Sequence, residues 1–247
     1  MNRVISTTLV FILAACLCTD AAVAQWSGRA TASMGRSYGN LALSQSILSG
    51  TRRLGGAAPS ASPPTLTTSA QIEAALSYTA DPQRSERIRA EMIEIMSGSD
   101  AALRAELEKA FADNAVLKEF DRVVSANGYS SRNVADDMAV LLQVTWETFN
   151  GNTANKAQIR GIRRQVLGVF LGTPALRAMT NAERQDWAER IAYQVVLGTL
   201  ARQEALRSGD PARVKQARQS AAAMLLAQHG IDMSLLRLTE QGFLKKL

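Results

Sequence analysis

Cysteine is nearly absent: the chain has 2 in 247 residues, Cys16 and Cys18, both inside its first apolar stretch. Everything after that stretch can therefore form neither a disulfide nor a thiolate metal site, and it holds no cysteine nucleophile. Histidine is limited to His229, so a histidine-rich metal centre is excluded and a Ser-His-acid triad would have one candidate base. No Gly-x-Ser-x-Gly turn accompanies it,. Calcium loops of the Asp-x-Asp-x-Asp-Gly kind and phosphate-cradling glycine loops are missing as well,. Neither an alternating strand pattern of useful length nor a repeat at fixed period occurs. No metal and no cofactor is expected.

What is present begins with an export signal. Arg3 supplies a positive charge, residues 4–18 carry none, and Leu9, Val10, Phe11, Ile12 and Leu13 form the apolar centre,. Asp20 ends the run. Ala22-Val23-Ala24 then puts small residues where a signal peptidase reads them, placing the cut between Ala24 and Gln25,. About 15 residues interrupted by Ser6, Thr7 and Thr8 fall short of the ~20 that span a bilayer, so no transmembrane helix is expected in the mature chain. Leu13-Ala14-Ala15-Cys16 resembles a lipobox. Secretion to the periplasm or beyond is the expectation, with acylation of Cys16 and an outer-membrane lipoprotein as the alternative.

Residues 25–69 are rich in Ser, Gly, Ala, Thr and Pro and read as a flexible, disordered leader, too poor in apolar surface to order itself,. Leu41, Leu43, Ile47 and Leu48 form one weak recognition segment within it. The net charge of +6 includes Arg29, Arg36, Arg52 and Arg53 ahead of the first acid of the mature chain, Glu73. Basicity thus sits in the leader, the rest is nearly balanced, and a nucleic-acid partner is not expected.

From residue 70 to 247 the period is helical. Asp81-Pro82 caps a helix to about Met96, and Asp100 caps the next, with a break at Asp113-Asn114 before a segment that stops at Asn127-Gly128,. The clearest helix covers about 132–149, where Val134, Met138, Leu141, Leu142, Trp146 and Phe149 make a wide apolar stripe,. A further helix opens at Thr153 and closes at Gly172. Thr180 to Glu183 form a capping box, and Asp210-Pro211 starts the last long helix, which runs to His229-Gly230,. The expected fold is all-α: a compact bundle of about six mostly antiparallel helices. Residues 235–243 read as a packed turn closing it.

Chemistry has few candidates. Glu147, beside Trp146 and close to Asn150, sits where an apolar wall could raise a carboxyl pKa,. Asp136 and Asp137 lie roughly 16 Å away at 1.5 Å rise per residue, too far to complete a glycosidase pair. Glu147 is accordingly expected to be a solvent-facing acid beside a buried Trp146. Arg160, Arg163 and Arg164 could bind phosphate or a partner carboxylate, although Arg160 and Arg164 are also simple i,i+4 neighbours on a solvated face. His229 is expected to be a helix C-terminal cation or hydrogen-bond donor. Trp187, with Ile191 and Val195, is expected in the core.

Asn133-Val134-Ala135-Asp136-Asp137 leading to Trp146-Glu147, then Gln158-Ile159-Arg160, Arg163-Arg164-Gln165, Glu189 to Gln194 and Leu238 to Phe243, together resemble an uncharacterised family of exported bacterial helical proteins, a domain-of-unknown-function family. The resemblance spans about 70–243 and implies exported location and helical fold, not activity. The leading expectation for function is a non-enzymatic exported protein that binds a protein or envelope partner. The alternatives are a carboxylate-dependent cell-wall hydrolase centred on Glu147, or a secreted effector.

Overall fold

The structure is a computed structural model that describes residues 69–246. The expected signal segment, the cut expected between Ala24 and Gln25, Cys16 and all but the last residue of the leader expected at 25–69 lie outside the described residues. Nine α-helices are found among the described residues: α1 (Ser69–Leu76), α2 (Pro82–Ser97), α3 (Ala101–Ala110), α4 (Ala115–Ala126), α5 (Val134–Asn150), α6 (Lys156–Gly172), α7 (Pro174–Arg177), α8 (Asn181–Ser208) and α9 (Pro211–His229). Two short strands follow, β1 (Leu236–Thr239) and β2 (Gly242–Lys245). The all-α class holds.

Local chemistry sets most helix ends where the sequence places them. Asp81, Asp100 and Asp210 each accept a backbone N–H of the first turn, satisfying donors that a helix start leaves free. Thr180 and Glu183 form the reciprocal capping box of α8,. The break between α3 and α4 is a 3-10 turn in which Asp113 (φ 54°) and Asn114 (φ 56°) take the left-handed conformation, which short polar side chains tolerate best after glycine. α6 starts two residues later than Thr153 suggests. Asn155 and Gln158 make its capping box, because the preceding Ala154 N–H is drawn to Glu147 instead.

α5 is the axis of the fold: α4, α6, α8 and α9 all pack against it. Thirteen of its residues are buried, on every side, so its apolar stripe is part of a helix enclosed along most of its length. Phe111 meets Tyr193 edge-on at 5.3 Å, and Phe170 stacks on Trp187 at 5.2 Å, which places Trp187 in the core as expected. No helix among the described residues is long and apolar enough to cross a membrane.

The packed turn expected at 235–243 is instead an antiparallel hairpin, with Leu236 opposite Lys245 and Thr239 opposite Gly242. Four-residue strands are too short to show alternation in sequence. Their pairing is supported from outside, since Gln165 of α6 accepts from Phe243 N at 2.7 Å and donates to Phe243 O at 3.0 Å.

Candidate functional site

At the C-terminal end of α5 the expected arrangement of Glu147 and Trp146 is reversed. Glu147 is buried and Trp146 is half-buried. The Glu147 Oε1 accepts from Gln143 Nε2 at 3.1 Å and from Ala154 N at 3.0 Å, and its Oε2 lies 3.6 Å from Arg202 Nη1 of α8. Enclosure of α5 explains the reversal: the chain after Gly151 turns back over the helix end, and the buried Ala154 N–H needs an acceptor that only Glu147 supplies,. The Trp146 carbonyl accepts from Asn150 Nδ2 at 3.0 Å.

Outward of this clamp, Thr148 and Gly151 of the α5 end meet Arg202 and Leu206 of α8 and Val214 and Arg218 of α9 around a cavity of about 70 Å³. Substrate clefts for drug-sized molecules occupy roughly 300–1,000 Å³, so this cavity takes a few heavy atoms and not a sugar ring. Neither Trp146 nor Asn150 lines it.

The three arginines of α6 diverge. Arg163 is turned inward, its Nε 2.5 Å from Asp136 Oδ1 and its Nη2 3.0 Å from Glu73 Oε1 of α1, with the guanidinium 5.4 Å from the Tyr129 ring centre. Arg164 donates to the Glu240 carbonyl of the hairpin at 2.9 Å. Arg160 is exposed. Arg160 and Arg164 do lie on a solvated face, whereas Arg163 is an internal ion-pair partner, so the three form no common anion site.

At the other end of α5, the two aspartates whose spacing from Glu147 excludes a glycosidase pair are buried side by side. Asp136 is 1% exposed and accepts from Ser130 N at 3.0 Å as well as from Arg163. Asp137, 0% exposed, has no hydrogen-bond partner at either oxygen. Burial foremost, then the neighbouring Asp136 charge, pushes its carboxyl well above the ordinary range,. Glu189 of α8 accepts from Ser85 Oγ at 2.7 Å and from Gln185 Nε2 at 2.8 Å, and burial raises its carboxyl too. Helical spacing carried the available signal: Asp136 and Asp137 stand four residues before Val140 and Leu141, both in the core,. Among the described residues no three histidine or carboxylate side chains converge as a metal-holding group.

His229 is likewise interior, not a helix-end cation. It is 0% exposed, its Nε2 lies 3.3 Å from Gln194 Oε1, and burial pushes its imidazole down to about 4, so it is neutral at pH 7. The reason is that the last turn of α9 is the part of that helix which enters the core, with Met224, Leu225 and Gln228.

These two groups act on stability with opposite sign. Unfolded, Asp137 releases its proton near its ordinary value of 3.8, whereas the folded chain retains it. The folded state then binds more protons, and stability falls as pH rises above 3.8. His229, lowered from 6.5 to about 4, loses stability as pH falls through that window,. Comparing Asp137→Asn with wild type cancels the histidine contribution. The variant is expected to gain stability at pH 8, where burying Asp137 requires it to hold a proton that an amide does not need, with the gain shrinking toward pH 4 in urea titrations,. A pH-independent difference would remove Asp137 as its source.

Comparison with known proteins adds one match: the model of a family of unknown function, DUF6683, matches residues 4–245. No curated protein and no solved structure matches the chain.

Proposed function

From the premise that the chain belongs to the family of unknown function DUF6683, we propose an exported, non-catalytic helical protein that binds a protein or envelope partner through the outer side of α8 and α9. The observation that carries this reading is the exposure of α9. From Pro211 to Ala223 none of its residues is buried, and Leu206, at the adjoining end of α8, is 56% exposed. A helical pair with small and apolar side chains held away from its own core is a surface available to a partner.

The hydrolase reading centred on Glu147 has less support. Its carboxylate is occupied by Gln143, Ala154 and Arg202, which is the work of a loop clamp. Glu147→Gln keeps an oxygen acceptor for Ala154, so it is expected to leave partner binding unchanged and to lower stability by about 1–2 kcal/mol through the lost charge-assisted bonds. Turnover of purified cell-wall polymer by the wild type, abolished in Glu147→Gln, would overturn the non-catalytic reading. For the binding reading, crosslinking the full mature chain in envelope extracts is expected to recover a specific partner that Leu206→Asp loses. Recovery of none from well-expressed bait counts against it. Export is tested by the mass of the mature N-terminus, a start at Gln25 being expected and an acylated Cys16 indicating the lipoprotein alternative.

A further inference from the structure

The pocket at the α5 end offers more positive charge than the protein itself uses. Arg202 has Glu147 at 3.6 Å, a distance longer than a charge-assisted hydrogen bond of about 2.7–2.9 Å. Arg218 has no carboxylate within ion-pair distance among the described residues. Its guanidinium nonetheless stands at the end of α5. The Arg218 guanidinium lies directly over Gly151, where an added Cβ would collide with its Nη2. Gly151 closes α5 at φ 74°, and the negative end of that helix favours a cation above it. Glycine takes a left-handed cap that most residues avoid, and the end of the Arg218 side chain occupies the space beside it,.

The surroundings define what could join the two guanidinium groups. α9 carries Arg213, Lys215 and Arg218 in its first half and no acidic residue, and although Arg213 lies 3.9 Å from the cap residue Asp210, a partner with negative charge is favoured at this end of the helix. The cavity of about 70 Å³ is walled by Leu206 and Val214 as well as by the arginines. A carboxylate on a short apolar stem fits both its chemistry and its size.

We infer that the pocket formed by Thr148, Gly151, Arg202, Leu206 and Arg218 is an anchor site for a Glu or Asp side chain of an acidic, apolar-flanked segment on a protein partner. The inference rests on the reading of α8 and α9 as a contact surface and names what that surface recognises. The acidic side chain would accept from Arg218, with Arg202 as second donor, while an adjacent apolar residue covers Leu206. Planar guanidinium groups favour this paired geometry with a carboxylate.

The test uses the full mature chain and the peptide acetyl-Leu-Glu-Leu-amide, with acetyl-Leu-Gln-Leu-amide as its neutral counterpart, followed by NMR. Saturable shifts at the Gly151 amide and the Arg218 Nε are expected with the Glu peptide, with binding at least tenfold weaker for the Gln peptide and for Arg218→Gln. Arg218 is exposed, so this variant keeps the wild-type melting temperature. Equal binding of the two peptides, shifts that never saturate, or saturation by inorganic phosphate without the Glu peptide would each overturn the inference. In the envelope crosslinking experiment, a partner retained by Arg218→Gln overturns the anchor and leaves the binding reading standing. A Glu peptide that binds where no partner is recovered supports the anchor and counts against that reading.

Discussion

Arg163→Ala lowers the unfolding free energy by about 2–3 kcal/mol, less than the ~3–5 kcal/mol for a fully buried ion pair, because the Arg163 side chain is 27% exposed while Asp136 is enclosed,. The magnitude follows from what the variant leaves behind. Asp136 is 1% exposed and keeps a single backbone donor, Ser130 N, once both Arg163 contacts are gone. Beside it stands Asp137, whose carboxyl oxygens have no hydrogen-bond partner. Glu73 loses its tie to α6 at the same time, although Asn133 Nδ2 still reaches it at 2.7 Å. The expected measurement is a shift in urea midpoint with an unchanged slope. Adding Asp136→Asn to Arg163→Ala should recover at least half of the loss, since an amide costs far less to bury alone than a carboxylate. Arg160→Ala, at an exposed position on the same helix, should stay within about 0.5 kcal/mol. If Arg163→Ala behaves like Arg160→Ala, the inward ion pair does not contribute to the fold.

Gly161→Ala is expected to cost about 2–3 kcal/mol, at the upper end for overpacking a tight contact, and to act locally. A Cβ at this position would collide with the Glu240 carbonyl oxygen and would stand 2.6 Å from Gly242 N. Both are backbone atoms of the hairpin turn, so the contact cannot be relieved by turning a side chain. The hairpin must lift off α6, and it takes with it the pair of hydrogen bonds between Gln165 and Phe243. Phe243 is 1% exposed, so lifting also uncovers a core aromatic. Hydrogen exchange separates this from general destabilisation. Amides of β1 and β2 should lose protection while those of α5 keep theirs. Equal loss in both would mean that the hairpin is integral to the cooperative unit, contrary to this expectation.

The difference between these two sites in sequence is instructive. Arg163 was visible as one of three arginines on α6, yet spacing alone could not separate it from Arg160 and Arg164, because all three are long, charged and compatible with a solvated face. Only the approach of α1 and α5 selects Arg163 for the interior, by placing Glu73 and Asp136 within reach. Gly161 gave no signal at all. A glycine inside a helical period reads as a mild defect, and its purpose appears when a hairpin about 80 residues further along the chain rests on it. Glu147 and His229 follow the same logic. Local neighbours give Glu147 a solvent-facing place and His229 a helix-end one; the loop after Gly151 encloses the first, and the entry of the last turn of α9 into the core encloses the second.

By itself, the sequence determined the elements: helix starts at Asp81, Asp100, Thr180 and Asp210, the break at Asp113-Asn114, the stop at Gly230, and through them the all-α class. These features depend on φ preferences and on side-chain bonds reaching two to four residues, which are properties of short segments. Tertiary structure alone decided which charges are inside. It enclosed Asp137 and Glu147, turned Arg163 away from its neighbours, and set Arg202 and Arg218 around one small cavity beside Gly151. Burial and pairing are sums over segments that meet only on folding, so a side chain carries no local mark of the neighbours it will acquire.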